Sequence, residues 1–142
     1  MKAGEVMTTG AATIRPDSTL TDAARLMVEH QISGLPVVDA QDRLVGVITE
    51  NDFLWPQQEP RLVGLLAEGR ARVASELNSR RVQDIMTRDP ITISAETPLE
   101  EAVELMKRHG IRRLPVVANG KVVGILSRSN LLLALLRKAQ AG

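Results

Sequence analysis

The chain has 142 residues, 44% apolar and 25% charged, with a net charge of +1. That length suits one compact domain or two small halves sharing a core, and so even a balance gives no bulk attraction to nucleic acid or membrane. Cysteine is absent, which excludes disulfides, thiolate catalysis and cysteine-held zinc.

Aromatic residues are limited to Phe53 and Trp55, too few for a base-stacking surface. No apolar run approaches the roughly 20 residues of a membrane span. The opening Met1-Lys2-Ala3-Gly4-Glu5 lacks the apolar stretch of a secretory leader, so the expectation is a cytoplasmic protein.

In chain order, Ala12-Thr13-Ile14 reads as a short extended piece. Ser18 is placed to cap a helix whose apolar stripe is Leu20, Ala23, Ala24 and Met27. Leu35–Val38 reads as a strand, and Pro36 restricts it to an edge position or a strand start. A turn leads to a second strand, Leu44–Ile48. There an apolar run ends in a hydroxyl residue, with a carboxylate three residues on: Gly46-Val47-Ile48-Thr49-Glu50-Asn51-Asp52. A strand that stops at Thr and turns into a helix leaves the first helical N–H groups free to meet an anion. The Thr49 hydroxyl suits a phosphate oxygen, and Asp52 suits the two hydroxyls of a ribose.

Pro56 and Pro60 break the helix that begins near Asn51. Leu62, Leu65, Leu66, Val73 and Leu77 then fall on one face, which predicts an amphipathic bridging helix over 61–77, weakened by Gly64 and Gly69.

The remainder repeats what came before. At an offset of 79, Met7-Thr8 returns as Met86-Thr87, Thr13-Ile14 as Thr92-Ile93, and His30 as His109. Leu35-Pro36-Val37-Val38 returns as Leu114-Pro115-Val116-Val117. One residue is lost in the following turn, so Gly46 returns as Gly124. The second copy's helix is signalled by Thr97 as cap, Pro98 at the first turn and Glu100 closing a capping box, with Gly110 as the stop. Asn119-Gly120 marks a tight hairpin. The second heptad is Gly124-Ile125-Leu126-Ser127-Arg128-Ser129-Asn130, and a helix over Leu131–Lys138 follows it. Its leucines exceed what one small core can cover, which predicts a homodimer.

Two β-α-β-β-α units, each opening on Met-Thr, carrying Leu-Pro-Val-Val and closing on Gly-x-x-Thr/Ser-x-x-Asp/Asn, resemble a tandem pair of CBS domains, a Bateman module. The likeness covers residues 5–54 and 84–137, joined by a helical bridge over 55–83. It implies an α+β fold with the two units related by a pseudo-twofold axis. It also implies clefts that take adenosine-containing ligands: AMP, ADP, ATP, NAD or S-adenosylmethionine. Carried over by position, Thr49 and Asp52 match the family's phosphate and ribose residues in the first copy, and Ser127 and Asn130 match them in the second. Thr13, Ile14, Leu35 and Pro36, with Thr92, Ile93, Leu114 and Pro115, match segments that flank the adenine. Arg112 and Arg113 fall where the family often places phosphate-contacting basic residues, where the first copy has Ser33 and Gly34. Asn130 departs from the pattern, because an amide lacks the charge of Asp and accepts through one oxygen.

The resemblance implies a regulatory nucleotide sensor acting on an unidentified effector protein. The alternative is a ligand-free dimerisation scaffold in which Thr49 and Ser127 only cap helices. An enzyme is disfavoured: the sequence offers no nucleophile with a base, no metal cluster and no phosphate-cradling glycine loop. His30 and His109 suit helix ends better than a metal or catalytic pair, and the recurring methionines suit the core.

Overall fold

The computed structural model describes residues 1–55 and 62–141. The helices are α1 (Leu20–Glu29), α2 (Glu50–Leu54), α3 (Arg70–Ser79), α4 (Val82–Ile85), α5 (Leu99–His109) and α6 (Arg128–Gln140). The strands are β1 (Gly34–Val38), β2 (Leu44–Thr49), β3 (Thr87–Arg88), β4 (Arg113–Ala118) and β5 (Lys121–Ser127). Short 3-10 segments lie at Ala3–Glu5 and Leu62–Ala67. The class is α+β, with two units of the β-α-β-β-α kind.

The compact units are cut differently from the sequence repeats. One unit is Ala12–Pro90; the other joins Met1–Ala11 to Ile91–Gly142. The opening of the chain therefore packs with the second copy, and residues before Ile91 pack with the first. In the Ala12–Pro90 unit the sheet order is β1-β2-β3, all antiparallel. Its core holds Ile14, Leu20, Ala23, Met27, Leu35, Val37, Ile48, Leu62 and Val82. In the other unit β4 pairs with β5, and Thr8 adds a single antiparallel bridge to Ile125. Ala3, Val6, Ile93, Leu99, Ala102, Met106, Leu114, Val116, Leu126 and Ala134 form its core.

The opening extended piece of each copy is reduced to one parallel bridge, Ile14 to Val37 and Ile93 to Val116. Proline accounts for this. Ile14 N–H donates to the Pro36 carbonyl at 3.0 Å, and Val38 N–H returns to the Ile14 carbonyl at 2.8 Å. Pro36 itself has no N–H to extend the ladder on that side. Pro115 does the same for Ile93, whose N–H reaches its carbonyl at 3.1 Å. The β1–β2 and β4–β5 pairs each shift register once, before Val38 and before Val117, so Val45 and Val123 are bulged at equivalent places.

Turn chemistry sets the hairpins. Asn119 and Gly120 have φ of 53° and 78°, the left-handed pair a two-residue turn needs, and Ala118 pairs with Lys121 across it. The first copy's longer turn is held by the Asp39 carboxylate, which accepts the N–H groups of Gln41 at 2.9 Å and Arg43 at 3.0 Å.

Three local expectations are corrected. The helix of the first copy is capped by Thr19, not Ser18: the Thr19 hydroxyl accepts from Asp22 N–H at 3.1 Å. In the second copy Pro98 stands at the cap, and the Thr97 hydroxyl instead accepts from Ser94 N–H at 3.0 Å. The hydroxyl is drawn back into a Ser94–Thr97 turn, so Glu100 has no capping box to complete. Gly110 does end α5, in the left-handed region at φ 62°. The bridging helix expected over 61–77 is two pieces: the 3-10 segment Leu62–Ala67, then α3 starting after Gly69, which stands as its cap in extended backbone. Glycine's cost inside a helix, up to about 1 kcal/mol each, favours the break there. Pro56, Pro60 and Arg61 lie outside the described residues.

Candidate functional site

Both predicted heptads form the same local structure. β2 runs into α2 through Thr49, and β5 runs into α6 through Ser127; each pair, Thr49 with Asp52 and Ser127 with Asn130, closes a capping box. Thr49 N–H donates to Asp52 Oδ2 at 2.8 Å, and the Thr49 hydroxyl reaches the same oxygen at 3.2 Å. Ser127 N–H donates to Asn130 Oδ1 at 2.7 Å, with the Ser127 hydroxyl at 2.9 Å. One free N–H expected at the first helix start is already used. Glu50 N–H donates to the Ser33 carbonyl at 3.0 Å.

Each unit collects one copy's predicted residues at one end of its sheet. In the first copy Gly34 pairs with Thr49 and Leu35 with Ile48, and Ile14 bonds the Pro36 carbonyl. In the second, Arg113 lies opposite Ser127, Leu114 opposite Leu126, and Ile93 bonds the Pro115 carbonyl. The side chains of Ile14, Leu35, Ile93 and Leu114 are buried in their cores, so near these positions it is backbone that edges the sheet end. Thr13, Thr92 and Arg112 are exposed, and Arg113 is half-buried.

Two residues singled out only as repeat markers enter these sites. The Thr87 hydroxyl donates to Asp52 Oδ1 at 3.1 Å, and Asn130 Nδ2 donates to the Thr8 hydroxyl at 3.2 Å. Their signal in the sequence was the recurrence of Met-Thr at a fixed offset. What hid their role is that each threonine serves the copy it does not open. β3 brings Thr87 beside Val47, and the Thr8–Ile125 bridge brings Thr8 beside β5.

The two ends differ electrically. Asp52 is half-buried, and loss of solvent raises its carboxyl above the usual range; hydrogen bonds from Thr49 and Thr87 pull the other way. Asn130 is 8% exposed, and its role is filled by an uncharged amide.

The CBS-domain family model matches residues 3–55 and 82–137. The chain belongs to the CBS-domain family. CBS domains are regulatory modules rather than catalysts, and this chain carries two of them. It is 34% identical over 132 residues to inosine-5'-monophosphate dehydrogenase from Methanocaldococcus jannaschii, covering 92% of this chain but only 23% of that enzyme. The CBS-pair protein CBSX2 from Arabidopsis thaliana is similar in structure, with 34% identity and a TM-score of 0.83 over 98% of this chain and 96% of that one. CBSX2 has also been solved with AMP, where the TM-score is 0.78 and the coverage 98% of each chain. The CBS pair of protein MJ0100, solved with 5'-methylthioadenosine and S-adenosyl-L-methionine, shares 25% identity and a TM-score of 0.74 over 95% of this chain and 99% of that one.

Among the described residues no group of three His, Cys, Asp or Glu is placed to hold a metal ion. His30 and His109 stand at the ends of α1 and α5, in keeping with a helix-end role. No described helix is long and apolar enough to cross a membrane.

Proposed function

We propose that this CBS pair is a cytoplasmic sensor of adenine nucleotides whose occupancy changes the state of a partner protein. The observation that carries the reading is the Asp52 end: a charged, half-buried acceptor one turn into a helix, at the sheet end where the other first-copy residues meet. CBSX2, alike over nearly its whole length, was solved with AMP. In this reading Asp52 and Asn130 face the diol, and Thr49, Ser127, Arg112 and Arg113 face phosphate. The backbone at Thr13-Ile14, Leu35-Pro36, Thr92-Ile93 and Leu114-Pro115 flanks the base. The module works as a homodimer.

A ligand bound only by the folded state adds about 2.7 kcal/mol of stability at a hundredfold excess over its dissociation constant. A thermal-shift screen with AMP, ADP, ATP, NAD and S-adenosylmethionine should therefore find at least one that raises Tm. Asp52→Ala should weaken that ligand by about 1.5–3 kcal/mol, the worth of a hydrogen bond to a charged group. No shift with any of the five would leave the scaffold reading. One observation favours that second reading: Asp52 already accepts three hydrogen bonds from its own unit.

A further inference from the structure

We infer that Thr87 is a positioning residue of the nucleotide site, its hydroxyl fixing the one Asp52 oxygen that still has room for a ribose hydroxyl. This rests on the nucleotide-binding reading above and adds a residue that does not touch the ligand.

The inference follows from an acceptor count. A carboxylate offers about four acceptor positions, two on each oxygen. On Asp52, Oδ2 receives the Thr49 N–H at 2.8 Å and the Thr49 hydroxyl at 3.2 Å, and is full. Among the described residues, Oδ1 receives only the Thr87 hydroxyl, at 3.1 Å. The remaining position is therefore on Oδ1, the oxygen that Thr87 holds. The terminal torsion of an Asp side chain is broad and poorly fixed by intrinsic preference, so the second anchor decides where that position points.

The chain builds this anchor deliberately into the sheet. Thr87 pairs with Val47 and Arg88 with Gly46. A Cβ at Gly46 would lie 2.8 Å from the Thr87 carbonyl, so only glycine there lets β3 come this close. The equivalent bond in the other unit runs backwards. Asn130 Nδ2 donates to Thr8, while the Asn130 oxygen receives both the N–H and the hydroxyl of Ser127. An amide oxygen has two acceptor positions, and both are taken. Thr8 therefore closes a structural network, whereas Thr87 orients a charged acceptor with capacity to spare.

Calorimetric titration with AMP and with 2',3'-dideoxy-AMP tests the inference on the wild type, Thr87→Val, Thr87→Ala and Thr87→Ser. Thr87→Val should weaken AMP about tenfold, in line with one hydrogen bond to a charged group. Thr87→Ala, which removes the hydroxyl without adding a methyl, should reproduce the loss, and Thr87→Ser should restore wild-type affinity. The dideoxy analogue should bind all four proteins alike. Equal AMP affinity in wild type, Thr87→Val and Thr87→Ala would overturn the inference and leave the nucleotide reading intact. So would a loss that falls equally on AMP and the dideoxy analogue, since that reports a loosened fold. A wild type that binds neither compound would overturn the inference, and the nucleotide reading falls with it only if ADP, ATP, NAD and S-adenosylmethionine also fail to bind.

Discussion

Asp52 is where structure and function pull against each other. Its burial disfavours the charged form, and its carboxyl is raised from the ordinary 3.8. A raised acid binds more protons folded than unfolded. The contribution of Asp52 to stability is therefore greatest below the unfolded value and falls as pH climbs from 3.8 to the raised folded value. Above that window the carboxylate stays charged at a constant cost. Asn130 shows what relief looks like: an amide in the same capping box, turned to donate to its threonine. Asp52→Asn should thus keep or raise Tm at neutral pH, and its advantage over wild type should vanish on acidification through the window. It should also weaken AMP, because the charge that strengthens a hydrogen bond to the diol is gone. Thermal melts from pH 3 to pH 8, paired with AMP titration, check both halves. A variant less stable than wild type at neutral pH would show that the carboxylate is a net stabiliser of the folded chain.

At the scale of elements, the repeat, the four strands of the two hairpins, the turn at Asn119-Gly120 and the starts of α2 and α6 were legible, because each rests on local chemistry. Apolar alternation, turn residues and a hydroxyl followed by an acceptor three residues on act within a few positions. The cap of α5 was misread by one residue because Thr97 has a competing local use, the Ser94 turn, that pattern alone does not rank. The threonines of Met-Thr were visible but their role was not, since it depends on which sheet a short strand joins. Gly46 and Gly124 open the two heptads, and sequence alone gives them no role. Their reason is spatial: a Cβ at Gly46 meets the Thr87 carbonyl at 2.8 Å, and one at Gly124 meets Met7 Sδ at 2.6 Å and the Thr8 carbonyl at 3.0 Å. Gly46→Ala should push β3 off β2 and cost about 1–3 kcal/mol, as overpacking does. It should weaken AMP as well by carrying Thr87 away. Gly124→Ala meets first the end of a flexible Met7 side chain, so its cost should be smaller. Denaturant unfolding of both variants measures the difference, and a Gly124→Ala loss equal to or above that of Gly46→Ala would mean that the backbone contact is not what limits approach.

At the scale of the whole molecule, the apolar surplus of α6 bears on the proposed homodimer. Asn130 and Ala134 are buried and Leu131 packs against the core, which marks the inward side of the helix. Leu132, Leu135 and Leu136 are 63%, 65% and 58% exposed. Their spacing of three and four residues puts them on a single stripe. Scattered exposed leucines are ordinary on a protein surface, but a contiguous stripe of them signals a contact. A second copy is the natural occupant, because a stripe packed on itself about a twofold axis closes the assembly and leaves no further sticky face. Light scattering should report a dimer at micromolar concentration. Leu135→Glu, at the middle of the stripe, should shift it to monomer while far-UV circular dichroism stays unchanged, since this side chain contributes little to the core. A wild type that is monomeric at those concentrations, or a Leu135→Glu variant that remains dimeric, would move the contact off α6 and leave its leucines for the effector.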